Sequence, residues 1–130
     1  MVEETLIEEK VDIAPELLEQ INTQEEKQVI LHGIVKGFPN MDGNVRVWPT
    51  TYLIPKGSNK KCKIVHYFNI AMHPQYYFIR ANETLRFTLI FEGLPADCIS
   101  FDLVEIISEP YAFEVRDIQR NEEDVYTVYL

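Results

Sequence analysis

From residue 85 the chain alternates. Leu85, Phe87, Leu89 and Phe91 are apolar and are separated by Arg86, Thr88, Ile90 and Glu92. A period of two with one strongly apolar face predicts a β-strand. Gly93 and Pro95 break the run. A second alternation then sets Ile99, Phe101 and Leu103 against Ser100, Asp102 and Val104. The stretch 85–105 reads as two core strands joined by a short, stiff loop, with the rest of the chain arranged to cover them.

The same period recurs elsewhere. Lys27 to Val35 places Val29, Leu31 and Val35 on one face and Ile30, His32 and Ile34 on the other, so this strand is central or covered; Gly33 in its middle predicts a bulge or a close backbone approach. Residues 37–44, GFPNMDGN, form an exposed loop. Val45 to Trp48 and Thr50 to Ile54 are short strands. Pro49 and Pro55 bracket the second, which predicts an edge or a sheet-crossing position. Cys62 to Phe68 alternates, as do Tyr76 to Arg80, Tyr111 to Ile118 and Val125 to Leu130, while residues 121–124 read as a solvated acidic turn. About eight short strands at spacings near ten residues, with no helix after residue 22, predict an all-β antiparallel sandwich of 7–9 strands, with a closed barrel as the other architecture.

Residues 1–27 stand apart as an acidic N-terminal arm, helical or extended, before a β domain spanning 28–130. Pro15, Glu16, Leu17 and Leu18 resemble a helix start. Leu17, Leu18 and Ile21 share a face of a piece too short to be stable unpacked. The arm either docks on the sandwich or binds a partner.

Composition adds limits. The chain has 130 residues, enough for one domain with a real core, and its net charge is −9. That charge disfavours nucleic acid and anionic lipid as partners, and leaves a basic protein as the sharper reading beside plain solubility. The N-terminus has neither a basic n-region nor an apolar h-region, and no run is long enough to span a bilayer, so a cytoplasmic location is expected. There Cys62 and Cys98 are expected to stay reduced.

Catalytic signatures are absent from the sequence. The three histidines, His32, His66 and His73, have no metal-ligand spacing. Cys98 has acidic neighbours, which raise a thiol pKa and disfavour a nucleophile. Asp102, between Phe101 and Leu103, predicts a backbone cap or a salt bridge to Arg86. No phosphate-binding, dinucleotide or hydrolase motif occurs, so no cofactor, metal or catalytic residue is expected. Aromatics near loops and edge strands are favoured interface anchors. The candidates on this ground are Phe38, Met41, Trp48, Thr51 and Tyr52, centred on the proline-bracketed stretch Trp48–Tyr52.

The residues Thr51-Tyr52-Leu53, FTLIFEGLPADCISFDLVE at 87–105 and Phe113 resemble Ig-like β-sandwich accessory domains of uncharacterised bacterial proteins, some fused to thioredoxin-like domains. The similarity covers about residues 45–130 and centres on F-x-L-x-F-x-x-L-P followed by F-D-x-x-E. It implies an Ig-like sandwich and no assigned activity. The expected function is a non-catalytic module that docks a partner protein. The alternatives are a structural subunit that self-assembles through its arm into a homo-oligomer, and a sandwich that binds a carbohydrate or another small ligand.

Overall fold

The computed structural model describes residues 27–130. The expected arm at 1–27 therefore lies outside the described residues apart from Lys27. Nine strands follow in order: β1 (Val29–Lys36), β2 (Gly43–Val45), β3 (Thr51–Pro55), β4 (Cys62–Phe68), β5 (Tyr77–Ile79), β6 (Thr84–Phe91), β7 (Ser100–Glu105), β8 (Glu114–Gln119) and β9 (Val125–Tyr129). No helix occurs among the described residues. The fold is all-β, as the alternation predicted.

Seven strands form one sheet in the order β8-β7-β3-β4-β6-β1-β9, and β2 pairs with β5 in a separate ribbon. Pairing is antiparallel except between β1 and β9, which run parallel. The sheet is therefore mixed, not purely antiparallel.

A short connection forces this sheet to roll. β8 and β9 lie at opposite edges, yet only residues 120–124 separate them. Six residue steps span at most about 22 Å. Six strand spacings of a flat sheet measure roughly 29 Å. The edges must curl towards each other, and Phe101 of β7 meets Tyr126 of β9 edge-on at 5.0 Å. The core inside the roll includes Leu31, Leu53, Leu89, Phe91, Leu94, Phe101 and Leu103, all essentially inaccessible. Each such side chain contributes about 1.5–3 kcal/mol by leaving water.

Pairing decides what the alternation left open. The two strands of 85–105 do not pair with each other: β6 pairs with β4 and β1, and β7 pairs with β3 and β8. The 92–99 connection is a crossover to the other half of the sheet. β3 is interior, between β7 and β4, not an edge. Its prolines are tolerated because the β4 ladder covers only Tyr52 and Leu53. Lys56 N–H bonds Ser100 on the β7 side, so the imide nitrogen of Pro55 faces past the end of the β4 ladder.

Gly33 is a close approach: an added Cβ would lie 2.3 Å from the Phe87 ring. In β4 a register shift between Ile64 and His66 interrupts the alternation. Cys62 and Ile64 pack towards the core, whereas His66 and Phe68 stand on the outer face opposite Ile90 and Thr88.

Two buried carboxylates brace the sheet, Asp124 at the β8–β9 turn and Asp102 within its β3-β7-β8 half. Asp124, which the sequence placed in a solvated turn, is 3% exposed. It accepts from Arg120 Nε and Nη2, both at 3.1 Å, and from the Tyr126 hydroxyl at 2.8 Å. Arg120 also donates to the carbonyls of Pro95 and Cys98, which ties the β8–β9 turn to the crossover. Burial, reinforced by the Asp124 carboxylate, pushes the Tyr126 phenol up to about 12. Asp102 takes the Asp117 backbone N–H at 2.9 Å, Arg116 at 2.9 Å and Lys56 at 3.1 Å. The backbone cap is present, but its ionic partners are Arg116 and Lys56, not Arg86. Burial opposes ionisation of Asp102, and these three donors outweigh it and lower its pKa.

Candidate functional site

A groove of about 710 Å³ opens where the end of β1, the β2–β5 ribbon and the β7–β8 connection meet. Among its lining residues are Phe38, Arg46, Trp48, Tyr76, Glu105, Glu109, Tyr111 and Phe113.

The loop that presents Phe38 is held at several points. Gly37 N–H bonds Glu83 at 2.7 Å, and Asn82 N–H bonds the Phe38 carbonyl at 2.8 Å. Ala81 N–H bonds the Asp42 carboxylate at 2.8 Å. Gly37 permits this contact, since a Cβ there would sit 2.5 Å from the Arg80 carbonyl oxygen. Phe38 nevertheless remains 65% exposed.

One wall is a stack of four side chains. The His73 ring lies 3.6 Å from Trp48, with planes 10° apart. Arg46 covers Trp48 with its guanidinium carbon 5.0 Å from the ring, and the same carbon lies 4.1 Å from Tyr76. Both distances are within cation–π range. Arg46 donates to the Pro74 carbonyl at 3.2 Å and approaches Glu109 at 4.0 Å. Arg46 and Trp48 are two apart on an extended segment, so they share a face. The His73 Nδ1 is buried without a hydrogen-bond partner among the described residues.

Glu105 closes the base. It is 5% exposed and accepts three bonds: from Trp48 N–H at 3.0 Å, from the Thr51 hydroxyl at 3.1 Å and from Phe113 N–H at 3.2 Å. Burial raises its pKa, and these donors and Arg46 only partly offset that. Glu105 thus joins the start of β3 to the 107–113 segment that carries Tyr111.

The sequence candidates separate. Phe38 and Trp48 line the groove together. Met41, 60% exposed, is on the same loop but does not line it. Thr51 is fully buried, with its hydroxyl committed to Glu105, so it supports the wall and offers no surface. Tyr52 is half-buried on β3 with Lys61 over its ring at 5.5 Å, outside the groove.

Arg46, His73, Glu105 and Tyr111 were not marked as site residues by sequence pattern. The Arg-x-Trp spacing at 46–48 was the available signal; the contributions of His73 and Glu105 depend on long-range contacts.

The arrangement suits recognition. Its apolar and aromatic surface is fixed by a paired cation and a triply bonded carboxylate. Burial and Asp97 hold the Cys98 thiol above its ordinary pKa against the pull of Arg120. No group of three or more His, Cys, Asp or Glu that could hold a metal occurs among the described residues. No helix there is long and apolar enough to cross a membrane. Comparisons with protein-family models, curated proteins and solved structures gave no match.

Proposed function

We propose that the chain is a non-catalytic binding module that docks another protein in the groove between Phe38, Trp48, Tyr76 and Tyr111. The observation that carries this reading is the aromatic surface left at its rim. Phe38 is 65%, Tyr76 59% and Tyr111 94% exposed. Aromatic side chains around a preformed concavity are the usual anchors of interfaces, because they bury much area at small entropic cost. The frame is a single rolled, mixed sheet whose edges approach each other, which favours the closed-barrel alternative over an Ig-like sandwich.

The test is affinity capture from the source organism, with wild type beside a Phe38→Ala, Tyr111→Ala double variant. Both side chains are exposed, so circular dichroism of the variant should match wild type. Truncating two anchors at about 1 kcal/mol each weakens binding roughly thirtyfold. A captured protein that binds the folded variant as well as wild type would reject the groove. Capture of the chain by itself alone would favour the self-assembling subunit.

A carbohydrate or small-ligand reading draws on Asn44, Arg46 and Glu109 beside the aromatics. Trp48 is the only tryptophan and lies in the wall, so its fluorescence reports on that reading directly. An unchanged spectrum across a glycan panel removes it.

A further inference from the structure

The outer face of β4, β6, β1 and β9 lies away from the core and carries an uncommon mixture. Pairing places His66, Ile90, Ile30 and Val125 in one row across the four strands. Phe68, Thr88, His32 and Thr127 form the next row, and Arg86, Ile34 and Tyr129 the third. The His32 Nδ1 to Thr88 Oγ1 contact of 2.9 Å confirms that these positions share a face. Phe68 is 54%, Val125 39% and Tyr129 78% exposed. The four strands contain no Asp or Glu and carry Lys36, Lys63 and Arg86. At its margin Glu92, next after β6, accepts the Lys63 backbone N–H at 3.0 Å; the strands themselves carry none of the chain's 21 acidic residues.

Residues 1–26 have the complementary character. They hold nine of the 21 acidic residues and one of the twelve Lys and Arg, which is −8 of the net −9. They also hold Leu6, Ile7, Val11, Ile13, Leu17, Leu18 and Ile21. They lead through Lys27 and Gln28 into β1, which contributes Ile30 and Ile34 to the face. Between Ile21 and Lys27 lie only the polar residues NTQEE. Five extended residues reach about 17 Å, and four strands measure about 14 Å across. The connection is thus long enough to turn back over the whole face.

We infer that the acidic segment 1–26 of the same chain is the occupant of this face. Its apolar side chains lie on Ile30, Ile34, Phe68, Ile90 and Tyr129, and its carboxylates meet Lys36, Lys63 and Arg86. Tethering makes the contact intramolecular, so weak individual contacts suffice. The face meets the groove at Lys36, at the end of β1, but shares none of Phe38, Trp48, Tyr76 and Tyr111 with it, so the inference does not depend on the groove.

Methyl NMR on the full chain tests it. Nuclear Overhauser contacts are expected in wild type from the Ile30, Ile34 and Ile90 methyls to protons of residues 6–21. In a Leu17→Ser, Leu18→Ser, Ile21→Ser variant of the full chain those three resonances should shift, while the core Ile70 and Ile79 methyls stay in place. Absence of the contacts in wild type overturns the inference, whatever the variant does. So do contacts that vanish on dilution together with a dimer in sedimentation, since the occupant is then a second copy. A variant that loses dispersion at Ile70 and Ile79 leaves the wild-type contacts to decide.

Discussion

Replacing Glu105 tests whether the groove wall is fixed in the way its geometry indicates. Three donors converge on this carboxylate, from Trp48, Thr51 and Phe113. Hydrogen bonds to a charged group contribute about 1.5–3 kcal/mol each. Their sum is an upper bound, because burying the charge costs much of it back, and Trp48 and Phe113 are only half-buried. Glu105→Ala is expected to destabilise by about 2–4 kcal/mol. Glu105→Gln keeps one acceptor oxygen and turns an amide NH2 towards a donor, for a loss of about 1–2 kcal/mol.

The pH dependence separates this account from a generic packing loss. Burial holds the folded Glu105 pKa above its ordinary value. A raised pKa means that the native state takes up the proton first as pH falls. Its stabilising contribution is therefore full below the unfolded pKa and is lost as pH rises through the folded one. Glutamine cannot titrate. The advantage of wild type over Glu105→Gln should grow as pH is lowered from neutrality towards about 4.3, the ordinary glutamate value. Urea unfolding of both proteins at neutral and mildly acidic pH measures this, and effects of other titrating groups cancel in the difference. An advantage that shrinks towards acid would show that the three donors outweigh burial, and the reasoning would fail.

Three further outcomes follow from the geometry. Arg120→Ala leaves the Asp124 carboxylate buried without its two-bond partner and unties the Pro95 carbonyl; chemical denaturation should show a loss of about 2–4 kcal/mol, and a loss below about 1 would mean that water replaces the guanidinium. Asp102 has the opposite sign to Glu105. Its lowered pKa makes its contribution full above the unfolded value and lost as pH falls through the folded one, so wild type should outlast Asp102→Asn at neutral pH and converge with it below the ordinary carboxylate range of about 3.9. Gly33→Ala drives a methyl into the buried Phe87 ring and should cost about 1–3 kcal/mol in thermal or urea unfolding; an unchanged midpoint would mean that the ring has room to move.

The sequence alone determined the local structure. Alternation at 85–91 specified a strand and its inward face, because a residue's side in a strand depends only on its parity, while at 29–35 it specified the strand and left the inward face open. The sequence also marked Gly33 as a bulge or a close approach, and specified the exposed Phe38 loop and the concentration of negative charge before residue 27. Which strands pair was decided by the tertiary structure. β6 and β7 are neighbours in the chain and not in the sheet, and β9 runs parallel to β1, because pairing is settled by how the whole apolar surface is buried at once.

The β4 register shift was invisible because one extra residue reverses the facing of everything after it without changing the composition. The site followed the same division. Phe38 and Trp48 were legible as aromatics beside turns. His73, Glu105 and the burial of Thr51 were not, because their roles come from contacts between segments far apart in the chain: Trp48 and Glu105 are 57 residues apart. Local pattern assigns each residue a conformation and a face; only packing brings distant faces together, and the groove exists only in that packing.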